Sequence, residues 1–116
     1  MIYVKINGNL YPAEIEGKII DTTWDNRSSK AITLEMDYET ASNTFVDGLA
    51  WSIVMETPDD TEENGEVKET IRTEEYDNAD HCVAGSITDN RDGTMTVKMG
   101  KLTELEEAYE MMLGGI

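Results

Sequence analysis

Apolar residues return at every second position through most of this chain, a period that belongs to strands with one buried face. Ile2, Val4 and Ile6 share one face of the opening stretch, and Tyr3 and Lys5 the other. Asn7-Gly8 follows, and both residues tolerate the positive φ of a tight hairpin turn. The alternation resumes with Leu10, Ala13, Ile15 and Ile19 against Glu14, Glu16 and Lys18. Residues 1–7 and 10–20 are therefore expected to form an antiparallel hairpin. Pro12 lacks a backbone donor and suits an edge or a bulge.

Residues 21–30 are polar except for Trp24 and read as a connection or an irregular edge segment. Ile32, Leu34 and Met36 then alternate with Thr33 and Glu35, giving a third strand. Over 38–47 the period changes: Tyr38, Ala41, Phe45 and Val46 fall at helical spacing. Asp37 supplies an N-cap and Gly48 a stop, so a helix of two to three turns is expected. From Leu49 to Met55, Leu49, Trp51, Ile53 and Met55 share a face, with Ala50, Ser52 and Val54 behind them, as in a central strand. Residues 57–66 read as an acidic solvated loop, and 67–76 as a polar edge strand pairing back on 49–56. Segments 82–88 and 94–99 flank a turn over 89–93, with Met95, Val97 and Met99 toward the core. Thr103 and Glu106 have capping-box spacing. Beyond them Leu105, Ala108, Tyr109, Met112 and Leu113 form one apolar stripe.

The expected fold is α+β, in the order β-β-β-α-β-β-β-β-α. It is a twisted antiparallel sheet or open barrel of about seven strands, with two short helices covering its exposed face or end. A chain of 116 residues fits a single domain, 1–116, and can bury roughly two-thirds of its unfolded surface without a staple.

Nine Lys and Arg against 25 Asp and Glu give a formal charge of −16. A phosphate backbone or an anionic lipid would be repelled over roughly 8 Å, so no direct nucleic-acid binding is expected. More than half of the charge is concentrated. Glu56, Asp59, Asp60, Glu62, Glu63, Glu66, Glu69, Glu74, Glu75, Asp77 and Asp80 face only Lys68 and Arg72 over residues 56–80, a net of −9. The plain account is solubility and a sheet edge guarded against aggregation. The functional account is a band of carboxylates that docks on a basic protein surface. Glu104, Glu106 and Glu107 sit in a helix's first turn, where its dipole favours them, and need no such account.

Cys82 is the only cysteine, so an internal disulfide is excluded and a Cys-based zinc site lacks partners. It reads as a small core residue. No run approaches the roughly 20 apolar residues that span a bilayer, and Lys5, Asn7, Gly8 and Asn9 interrupt the opening stretch, unlike a signal peptide. No membrane partner and a cytoplasmic location are expected.

Catalytic constellations are not evident. His81 is the only histidine, and on a strand it would point away from Cys82. Gly85-Ser86 lacks the pattern of a nucleophile elbow. Setting Gly93 at the sixth position of a calcium loop puts Thr88, Asn90 and Asp92 at ligand positions, but Met99 where a bidentate Glu belongs. A hairpin turn is the better reading. The chain is expected not to be an enzyme, with no cofactor and no metal.

Several segments together carry a resemblance: Met1-Ile-Tyr-Val-Lys-Ile-Asn-Gly with Tyr11-Pro-Ala, Trp24-Asp-Asn-Arg, Trp51-Ser-Ile-Val, Glu75-Tyr-Asp-Asn, Cys82-Val-Ala-Gly and Ile87-Thr-Asp-Asn-Arg-Asp-Gly-Thr. The chain resembles small proteins of tailed phages and prophages of Firmicutes over most of its length. That resemblance implies a phage context among tail or baseplate genes and carries no catalytic residues. The first functional expectation is a non-enzymatic structural or accessory protein acting through protein–protein contacts in a virion or tail, with homo-oligomerisation open. The alternative is a counter-defence protein: an acidic nucleic-acid mimic inhibiting a basic host enzyme, or a sponge for a signalling nucleotide. A sponge would need a cationic pocket, for which Arg27, Lys30, Arg72 and Arg91 are the candidates.

Overall fold

The computed structural model describes the backbone of residues 1–63 and 65–114; the side chains of Lys18, Thr61, Glu63 and Lys68 fall outside the description. Among the described residues, alternation and turn chemistry deliver nine strands and two helices. They are β1 (Ile2–Ile6), β2 (Asn9–Asp21), β3 (Arg27–Glu35), α1 (Tyr38–Thr44), β4 (Ser52–Pro58), β5 (Thr61–Glu63), β6 (Glu66–Lys68), β7 (Ile71–Asp77), β8 (Val83–Asp89), β9 (Thr94–Gly100) and α2 (Glu104–Gly114). Seven of the strands form one open antiparallel sheet, ordered β7-β4-β1-β2-β3-β9-β8. The fold is α+β, and the expected order of elements holds, with β5 and β6 added as short extensions of β4 and β7.

The turns form where positive φ is available. Asn7 and Gly8 adopt φ of 51° and 82°, and Gly93 adopts 91° between β8 and β9. Asp89 and Asp92 close that second turn on itself by accepting from the amides of Arg91 and Thr94.

Register assigns the faces. Val4 lies opposite Tyr11 and Ile53, Ile32 opposite Ile15 and Val97, and Leu34 opposite Ala13 and Met95. These residues form the inner face, where Val4, Ile6, Ile32, Leu34, Met95, Val97 and Met99 are buried. α1 lies against β8 and β9 and contributes Ala41 and Phe45 to this core. Its N-cap is Asp37, which accepts from the Thr40 amide at 2.7 Å. The outer face carries Tyr3, Lys5, Glu14, Glu16, Thr33, Thr96 and Lys98.

The sheet must coil. β7 and β8 are its two edges, yet only residues 78–82 join them. Across a flat sheet those edges stand roughly 29 Å apart. Moreover, Asp77 aligns through Ser52 and Lys5 with Leu10, whereas Val83 aligns through Gly100 and Ser29 with Ile19, far along β2. The connector reaches about 21 Å at full extension. Only a strongly coiled, barrel-like sheet brings its ends together. The connector closes over Trp51, which is 2% exposed. Trp51 Nε1 donates to the His81 carbonyl at 2.9 Å, the Asn78 amide donates to the Trp51 carbonyl at 2.8 Å, and the Gly48 amide donates to the Cys82 carbonyl at 2.7 Å.

Several expectations are corrected. β4 begins at Ser52, so Trp51 is not a strand residue; it plugs the coiled sheet. β4 is one strand from the edge rather than central, and Val54 on its outer face is buried while Met55 on the inner face is exposed. β3 begins at Arg27, inside the expected connection. α1 ends at Thr44, short of the expected 47. Pro12 lies in an interior strand, but it pairs with β1 alone, because the ladder to β3 starts at Ala13. His81 and Cys82 precede β8 rather than lying on it. Most of all, α2 covers neither a face nor an end: among the described residues its backbone approaches no other element.

Candidate protein-interaction site

The expected loop at 57–66 is largely strand. β4 pairs with β7 up to Pro58 opposite Ile71, the Asp59 amide donates to the Thr70 carbonyl, and β5 pairs with β6 up to Glu63 opposite Glu66. Gly65 adopts φ of 78° at the tip; Asn64 lies outside the described residues. β1 supports β4 from Ser52 to Met55, and Met1 extends that support to Glu56, whose amide donates to the Met1 carbonyl at 2.9 Å and whose carbonyl accepts from the Met1 amine at 2.6 Å. Beyond that point the chain is a free two-stranded ribbon reaching roughly 25 Å from the sheet. This ribbon and α2 explain the chain's elongation. Its radius of gyration is 17.6 Å, against about 13 Å for a compact chain of this length.

The eleven acids of residues 56–80 do not form one band. Asp59, Asp60, Glu62, Glu66 and Glu69 lie on the ribbon and are exposed. Glu63 is also on the ribbon, with its side chain outside the described residues. The rest belong to the sheet and its connector. Glu56, Glu75 and Asp77 are on the outer face, where Lys5 pairs with Glu75 at 2.9 Å. Glu74 is on the opposite face and pairs with Arg72 at 3.1 Å. Asp77 caps the Ala79 amide at 2.9 Å. Asp80 meets Lys101 at 3.2 Å and His81 Nδ1 at 2.8 Å. Glu74, Glu75, Asp77 and Asp80 therefore have local partners, and the candidate docking surface contracts to the ribbon.

His81 is buried beside the indole of Trp51, edge to face at 6.4 Å between ring centroids. Burial pushes its pKa down, and the Asp80 carboxylate only partly opposes this. Lys30, on the inner face, donates to the buried Asn78 and is likewise pushed down by burial. These residues hold the connector in place.

Sequence reasoning missed a clamp on the outer face. The turn after β2 places Asp25 and Asn26 at φ of 57° and 53°, which folds Trp24 back over β8 and β9. Arg27 stacks on the Trp24 ring, with its guanidinium carbon 4.7 Å from the ring centroid. It donates to the Lys101 carbonyl at 2.7 Å and to Glu106 at 2.5 Å. Gly85 and Gly100 make room for the pair. The available signal was two glycines inside strands, which mark close approach of another group, together with a lone Trp in a polar run.

Two carboxylates at this clamp are held well below their ordinary range. Lys98 and Thr23 lower Asp21 from 3.8 to about 2, and Arg27 and Thr103 lower Glu106 from 4.5 to about 2. Each binds fewer protons folded than unfolded, so its contribution is complete above the unfolded value and is lost as pH falls through about 2. His81 has the same sign in a higher window: its folded pKa lies below 6.5, so acid favours unfolding from about pH 6.5 downward. Urea midpoints measured against pH should show Asp21→Asn less stable than wild type by a constant amount near neutrality, with the gap closing toward pH 2. A gap independent of pH down to 2 would show that the Asp21 charge contributes nothing.

The four cations considered for a nucleotide pocket are dispersed. Arg27 belongs to the clamp, Lys30 to the inner face, Arg72 to Glu74, and Arg91 to the β8–β9 turn. Among the described residues no group of three or more His, Cys, Asp or Glu is placed to hold a metal ion, and no helix is long and apolar enough to cross a membrane. The chain matches no protein-family model, no curated protein and no solved structure.

Proposed function

We propose that the chain is a non-enzymatic interaction protein of phage type, a structural or accessory component of a virion or tail that docks through its acidic ribbon on a basic protein surface. The observation that carries this reading is the ribbon itself: six acids against Lys68, on and beside two short strands that, among the described residues, pack on no other element. A two-stranded ribbon without a covered face is marginal alone in water. It adds nothing to the core, and its charge is placed where a partner can reach it. The sequence resemblance to tailed-phage proteins supports the virion or tail context.

The test is a ribbon variant carrying Asp59→Asn, Asp60→Asn, Glu62→Gln, Glu66→Gln and Glu69→Gln, compared with wild type for co-sedimentation with purified particles. The variant should keep the sheet signal in circular dichroism and lose co-sedimentation, and the wild-type contact should weaken as salt rises. Absence of the wild-type protein from particles by mass spectrometry would remove the virion reading. The alternative is nucleic-acid mimicry against a basic host enzyme, which uses the same ribbon. It predicts instead that duplex DNA competes with the protein for its partner.

A further inference from the structure

We infer that the apolar face of α2 is a second docking surface, which takes a basic amphipathic helix of a partner protein. Leu105, Tyr109, Met112 and Leu113 are 81%, 63%, 71% and 61% exposed. At 100° per residue the first three fall within about 60° of arc, with Leu113 at its edge. Glu104 and Glu110 border this stripe and Glu107 lies opposite. Together the four apolar side chains present on the order of 500 Å² in one patch, at the upper end of what a monomer leaves uncovered.

Among the described residues the helix is secured only at its start. Thr103 and Glu106 cap it reciprocally, at 2.9 and 3.2 Å, and Arg27 grips Glu106. Among the described residues no other element's backbone approaches the turns that carry Tyr109, Met112 and Leu113. Eleven residues are fewer than the roughly 12–15 at which an isolated helix is even marginal in water. Burial of the stripe against an added partner would supply the missing stabilisation.

Charge selects the occupant. α2 carries Glu104, Glu106, Glu107 and Glu110 and no basic residue. Two copies packed antiparallel would set the flank that carries Glu104 and the flank that carries Glu110 each against its own copy, on molecules of −16 each, and would bury only about 1,000 Å² in total, the lower bound for a specific interface. A helix with Leu-type anchors and Lys or Arg flanks meets the same stripe and turns those flanks into cross-partner ion pairs.

The probe is a synthetic Leu/Lys amphipathic peptide of about 15 residues, long enough to form a helix when bound. A Leu/Glu peptide of the same pattern and a scrambled Leu/Lys peptide serve as controls. The protein variants are Leu105→Gln/Tyr109→Gln/Met112→Gln, which keeps helix propensity and leaves the buried core untouched, and the ribbon variant described above. Calorimetry should show binding of the amphipathic basic peptide alone, weakened about tenfold or more by the α2 triple variant, which is at least 1.4 kcal/mol, and retained by the ribbon variant. Amide exchange should slow at residues 105–113 on binding. Equal binding by the triple variant, or equal binding of the scrambled or acidic peptide, would overturn the inference. So would self-association of wild type that the triple variant abolishes, since the occupant would then be a second copy. Loss of binding in the ribbon variant alone would place the contact on the ribbon and return it to the function proposed above.

Discussion

Trp51→Ala is expected to cost about 3–5 kcal/mol, the range for deleting a large buried aromatic side chain. Trp51 sits where the coiled sheet, the 45–51 segment and the connector meet, and its indole N–H serves the carbonyl of His81. Alanine leaves both a cavity and an unpaired buried acceptor. Trp51→Phe separates the two effects. It retains most of the ring but not the donor, and should cost about 1–3 kcal/mol, the range for a buried polar group left without its partner. Urea unfolding of both variants checks the ordering. If Trp51→Ala costs no more than Trp51→Phe, the ring does not hold the sheet closed.

Gly100→Ala should be the next most damaging exchange, at about 1–3 kcal/mol or more from overpacking. A methyl group there would overlap Arg27 Cδ and come within 3.0 Å of Trp24 Cζ3. Arg27 cannot easily withdraw, because its head is fixed by Glu106 and the Lys101 carbonyl. Gly85→Ala meets Trp24 Cη2 at 2.7 Å and provides an internal control. Trp24→Leu should relieve Gly85→Ala more than it relieves Gly100→Ala, where Arg27 is the principal obstacle. A double-mutant cycle reads that difference as a coupling energy. Strict additivity at both glycines would show that the clamp does not exist in solution.

Local pattern announced most of the strands. Ile2, Val4 and Ile6 could only face one way, Asn7-Gly8 and Asp92-Gly93 could only turn, and Asp37 was a sufficient N-cap. The errors arose where a residue's partner is distant in sequence. Trp51 continues the alternation of Ile53 and Met55, so period alone puts it in the strand; its place under the connector depends on the Trp51–Asn78 and Trp51–His81 bonds. The stripe of α2 was read as a lid because a 3.6-residue period says that one face is apolar, not which surface covers it. The acidic segment was recognised by composition, but its division between a free ribbon and locally paired carboxylates depends on the register of β4 against β7. Lys5 and Glu75 are seventy positions apart.

The pairing of β3 with the late strand β9 also sets an order of assembly. Residues 1–77 can align five strands, β7-β4-β1-β2-β3, but they leave the backbone of β3 bare along one side. Only the hairpin of β8 and β9 closes it, and that hairpin is complete at Gly100. A chain emerging from the ribosome therefore carries an open ladder until Gly100 has been made, since long-range strand pairing must await the distant segment. During that interval the vacant side of β3 can accept the same hairpin from a neighbouring chain, and exchange of residues 83–100 between copies is the misassembly this topology invites.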